Sequence, residues 1–119
     1  MSILATRDAL RARLDLVDGV TGYRYAPLAF KPGDAWGQWR GGEPGDDGRY
    51  STSFVDTWAV VIVLSPDPET ADAWVDGHLA GLLEVLKPVL SVTGYQFTPI
   101  KSDGSQAAHN ALIILGETE

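Results

Sequence analysis

His78 and His109 are the only histidines of this chain, and they are its best candidates for acid–base or metal chemistry. A zinc or catalytic site needs a third ligand or a partner held in a set geometry. His78 falls one residue before Leu79 in an amphipathic pattern, and His109 falls in a closing strand pattern. The expectation is one half-exposed imidazole on each element rather than a shared site. Asp46-Asp47-Gly48 suggests calcium, but the spacing of an EF-hand loop is missing. Gly41-Gly42, Gly45 and Gly48 suggest a phosphate loop, but no Gly-Lys-Ser/Thr follows. Ser51, Thr52 and Ser53 have no base paired to them in sequence, and no G-x-S-x-G elbow is present. The absence of cysteine excludes disulfides, thiolate metal sites and cysteine nucleophiles. The expectation is therefore no catalytic residue, no metal, no cofactor and no enzymatic activity, with function carried by surfaces.

Aromatic residues are the better lead. Trp36 and Trp39 sit beside a glycine-rich stretch with Gln38 and Arg40 close by. They read equally as ordinary hairpin packing and as interface anchors, where Trp and Arg are favoured. Trp58 and Trp74 adjoin core elements and are expected to be buried.

The elements that position these residues follow from periodicity. Ser2 is placed to cap a helix running to about Asp18, with Ile3, Leu10, Leu14 and Val17 on one face and Asp18-Gly19 as its stop. Residues 20–30 read as a strand with Pro27 at an edge. Lys31-Pro32-Gly33-Asp34 reads as a turn, and 35–40 as a short strand. Residues 41–48 have almost nothing to bury and read as a flexible loop, extending to Arg49, that orders on contact with a partner. Residues 50–64 form the central strand. From Trp58 it is continuously apolar, which suits a strand covered on both faces. Asp67, Pro68 and Glu69 open a helix whose stripe is Val75, Leu79, Leu82 and Leu86, widened by Trp74 and Leu83 and ended near Pro88. Residues 92–100 and 107–115 read as a closing hairpin around Ser102-Asp103-Gly104-Ser105, followed by a frayed polar tail. The expected fold is α+β, a mostly antiparallel sheet with two helices packed on one face. The other face would be partly bare, which points to assembly.

The chain, at 119 residues, is read as a single domain, 1–119. At this size a single core buries roughly two-thirds of the unfolded surface without metals or disulfides. Nine Lys and Arg against 16 Asp and Glu give a net charge of −7. That balance argues against a phosphate-binding surface, which must replace counterions with basic side chains. Arg7, Arg11 and Arg13 share the first helix and the other basic residues are scattered. The first residues carry charges within their apolar stretch and do not read as a signal peptide. The longest apolar run is too short to span a bilayer, so an intracellular soluble protein with no membrane partner is expected.

Several segments in this order carry a resemblance. They are the opening helix 3–16, the strand Thr57-Trp58-Ala59-Val60-Val61-Ile62-Val63-Leu64, and the acidic helix 67–86 with Ala73-Trp74-Val75-Asp76. The closing strands Val92-Thr93-Gly94-Tyr95 and Ala111-Leu112-Ile113-Ile114-Leu115 complete it. This pattern resembles the tail terminator proteins of long-tailed, siphovirus-type phages of actinobacteria over nearly the whole chain. The resemblance implies a homohexameric ring at the head-proximal end of the tail tube. Such a ring ends tube polymerisation, offers the surface for head–tail joining, and lets DNA pass through its lumen without specific binding. It implies two partners, the tail tube protein and a head–tail connector protein. It places the chain in the virion, assembled in the host cytoplasm. No residue carries over as catalytic. The contact candidates are Trp36, Trp39, Arg40, Asp46, Asp47 and Arg49, with Arg7 and Arg11 for contacts around the ring. The competing readings are a head–tail connector or neck subunit, a small binding module built on Trp36 and Trp39, and a small enzyme using His78 or His109.

Overall fold

A computed structural model of the protein describes residues 2–44, 54–101 and 108–118. The elements are α1 (Ile3–Leu14), β1 (Thr21–Tyr23), β2 (Asp34–Pro44), β3 (Phe54–Leu64), α2 (Pro68–Leu86), β4 (Ser91–Lys101) and β5 (Ala108–Thr118). The strands form one sheet in the order β1-β2-β3-β5-β4, with only the β1–β2 pair parallel. Both helices pack on one face, so the fold is the expected α+β arrangement.

Local chemistry explains where the helices begin. Ser2 Oγ accepts the Ala5 N–H at 3.0 Å and caps α1. The Thr6 hydroxyl, itself buried, donates back to the Ser2 carbonyl. Asp67 caps α2, accepting the Thr70 N–H at 2.9 Å and the Thr70 hydroxyl at 2.7 Å, with Pro68 in the first turn. α1 ends four residues before the expected Asp18. Asp15 leaves the helix to accept the Gly22 N–H of β1 at 2.7 Å, and the chain continues through tight turns to Gly19 at φ 81°.

The core follows strand parity. On the helix side Trp58, Val60, Ile62 and Leu64 of β3 meet Leu10 and Leu14 of α1 and Ala71, Leu82 and Leu86 of α2. Ile3, Val17, Val75, Leu79, Leu83 and Trp74 pack partly buried around them. The α1 stripe and the α2 stripe thus lie where their spacing put them. On the opposite face Ala59, Val61 and Val63 join Trp36, Ala111 and Ile113 in a second cluster. β3 is covered on both sides, as its uninterrupted apolar run requires.

The second face, expected to be partly bare, is covered at its centre and exposed at margins such as Gln38 and Gln96. Its central residues are buried, and Phe30 from the β1–β2 connection packs against them, 5.2 Å from the Trp36 ring. The strand expected over 20–30 shrinks to Thr21–Tyr23 for a related reason. β1 runs parallel to β2, so residues 24–33 must carry the chain back to the start of the next strand. β2 is longer than expected. Gly42, Glu43 and Pro44 pair with Asp56, Val55 and Phe54, so the expected loop does not begin at 41. A bulge at Arg40 and Gly41 lets the strand continue, and Gly41 supplies the left-handed backbone at φ 101°. The tail expected to fray is also paired through Thr118, because β5 lies between β3 and β4.

Candidate functional site

The geometry of the histidines is that of packing. His78 stacks on Trp74 one helical turn earlier, with ring centroids 4.0 Å apart and planes 6° apart, and its Nδ1 lies 2.7 Å from the Trp74 carbonyl. His109 stands edge-on to Phe30 at 6.3 Å on the opposite sheet face, its Nδ1 buried without a hydrogen-bond partner among the described residues. Among the described residues no three His, Cys, Asp or Glu side chains converge as a metal site.

The two contact candidates on α1 and the two named tryptophans separate sharply. Trp36 and Trp39 are three residues apart on one strand, so they point to opposite faces. Trp36 is 8% exposed and belongs to the second cluster. It is a core residue, and the interface reading for it is corrected. Trp39 is 41% exposed and pairs with Trp58 on the helix-bearing face, with exposed Arg40 beside it at the bulge. Arg7 is engaged within the chain rather than offered outward. Its Nη1 donates to the Gly37 carbonyl at 2.8 Å and the Arg24 carbonyl at 3.1 Å, and its guanidinium lies 4.4 Å over the Tyr25 ring. It therefore ties α1 to β2. Arg11 is exposed, and its backbone lies against Gly22 of β1. Asp46, Asp47 and Arg49 lie outside the described residues.

Sequence reasoning missed the surface at the other end of the sheet. A helix covers about 10 Å of width and a strand occupies about 4.8 Å, so two helices cover about four strands. α1 lies over β1 and β2. α2 joins it through the Arg13 Nε–H, which donates to the Val85 carbonyl at 2.7 Å. β4 is the strand left over. Tyr95 and Phe97 pair with Ile114 and Leu112, so they share the helix-bearing face, yet they are 56% and 49% exposed. Between them and α2 runs an open groove of about 480 Å³, walled by Asp72, Val75 and Asp76 and floored in part by Leu112. The signal was present: Tyr95, Phe97 and Pro99 alternate along a strand with no charge from Ser91 to Ile100.

Two unlike surfaces thus sit at opposite ends of one sheet, each with an aromatic ring on the helix-bearing face. One is a bulged strand end with Trp39 and Arg40. The other is a bare edge strand with Tyr95 and Phe97 beside Asp72 and Asp76. No family model matches the chain, and no curated protein matches it either.

Proposed function

We propose that the protein is a subunit of a closed head-to-tail ring that caps the head-proximal end of a phage tail tube and presents the surface for joining the head. The observation that carries this reading is β4. It is an eleven-residue edge strand with ten successive uncharged residues and two exposed aromatic rings. Edge strands that stay exposed are blunted by charge, shortness or a covering element, because they otherwise pair with other chains. Pro99 and a bulge near Thr93 interrupt this edge only towards its two ends. Such an edge fits a strand that is covered in an assembly. An interface made of two unlike patches is heterologous, and it closes into a ring when the rotation between copies permits. The acidic balance of the chain suits a lumen that releases passing DNA.

Electron microscopy of the purified protein, alone and added to tail tubes, tests this reading. Six-fold rings that sit on one end of the tubes and stop their extension are the expected result. Tubes that lengthen equally with and without the protein refute it.

A further inference from the structure

We infer that the groove between α2 and β4 receives the Trp39–Arg40 bulge of a second copy of this chain. The inference deepens the ring reading and rests on it for the identity of the partner. Three observations select this occupant.

The first is charge. Asp72 and Asp76 stand one turn apart on the groove wall, and neither is in an ion pair among the described residues. Among the described residues, four other basic side chains are engaged within the chain. Arg7 and Arg13 donate to backbone carbonyls, Arg24 pairs with Asp8, and Lys87 pairs with Glu84. Arg40 is an exposed cation beside the exposed Trp39 ring, and it is in no ion pair among the described residues. The second is the chemistry of the anchors. Trp39, Tyr95 and Phe97 are the residue types that dominate interface energetics when they fill a desolvated pocket. The third is placement. Trp39 shares the helix-bearing face through its pairing with Trp58, and Tyr95 and Phe97 share it through Ile114 and Leu112. Copies joined this way keep their helices on one side of the contact, so successive sheets form a wall with one helical and one helix-free surface. The free edge of β4 then lies beside the β2 end of its neighbour.

The test is a charge exchange read by sedimentation and electron microscopy. Arg40→Glu alone, and Asp72→Arg with Asp76→Arg alone, should each raise the concentration needed for assembly about tenfold or more. The chain carrying all three substitutions should recover assembly to within about threefold of the parent. All of these positions are exposed, so circular dichroism should show folding unchanged in each variant. Single exchanges that assemble like the parent overturn the inference, as does a triple variant no better than either half. A parent chain that stays monomeric, alone and with tubes, also overturns it. Rings that form and respond to the exchange but do not stop tube growth leave the contact standing and sink the tail reading instead.

Discussion

Placing a methyl group at Gly22 tests the contact that seats α1 on the sheet. A Cβ at this position would lie 2.4 Å from the Arg11 carbonyl oxygen and 3.2 Å from the Arg11 carbonyl carbon and Cα. The oxygen is about an ångström inside ordinary contact, and it belongs to a helix backbone, so no rotamer change relieves the clash. α1 must lift or β1 must leave β2. Lifting α1 strains Leu10 and Leu14, both fully buried, and the Arg7 and Arg13 bonds to the Gly37 and Val85 carbonyls. Overpacking costs about 1–3 kcal/mol, and a rigid backbone obstacle places Gly22→Ala near the top of that range. A loss of about 3 kcal/mol lowers the thermal midpoint of a chain this size by roughly 10 °C. Gly77→Ala serves as the opposite case. It adds the same methyl in open space on α2 and should stabilise by about 0.5–1 kcal/mol through helix propensity. Urea denaturation followed by tryptophan fluorescence reads both, with slopes unchanged. A Gly22→Ala chain within about 0.5 kcal/mol of the parent would refute the close seating of α1 on β1.

Three further outcomes follow from the packing. Trp36→Ala should cost about 3–5 kcal/mol of stability in urea denaturation, while Trp39→Ala stays within about 1 kcal/mol, because only the first leaves a core cavity. Arg7→Ala should destabilise by about 2 kcal/mol, and Arg7→Lys should recover only part of it, since a guanidinium serves two carbonyls and a ring together. The Thr70 hydroxyl, and then the Thr70 N–H, hold the Asp67 carboxyl below its ordinary range. This depressed value stabilises the folded chain above the ordinary aspartate pKa, and the gain is lost as pH falls through the lower folded value. The stability difference between the parent and Asp67→Asn, measured across pH, should therefore be flat near neutrality and shrink on acidification.

What was legible in the sequence was whatever local chemistry dictates. Asp67 and Pro68 announce α2, Ser2 announces α1, and the apolar run from Trp58 to Leu64 announces a strand buried on both sides. The two stripes and the β4–β5 pairing also followed from period and turn residues. What was hidden depends on which strand sits beside which. Residues 24–30 look extended, yet the parallel register of β1 on β2 turns them into a return path. Gly41 looks like the start of a loop, yet its left-handed backbone sustains a bulge that prolongs β2. Trp36 and Trp39 looked equivalent until strand parity sent one to the core and the other to solvent. Arg7 looked like a free surface charge, and only the fold brings the carbonyls of Gly37 and Arg24 within its reach. Tyr95 and Phe97 became conspicuous once the sheet order left β4 beyond the cover of both helices.

The position of β5 has a consequence for how the chain is made. β5 is the last strand in sequence but sits inside the sheet, pairing Asp56 with Thr118 and Leu64 with Asn110 on one side and β4 on the other. During synthesis, α1 through α2 emerge first, and β3 then has β2 on one side and an open edge on the other. That edge is the most apolar segment of the protein. β4 follows and has no sheet to join until β5 arrives. The growing chain therefore passes through a stage with a long, sticky strand unpaired, and closure must bring together segments far apart in sequence, which is slow and exposes nascent chains to aggregation. Expression rates and chaperone supply should accordingly govern the yield of folded protein more than its final stability does.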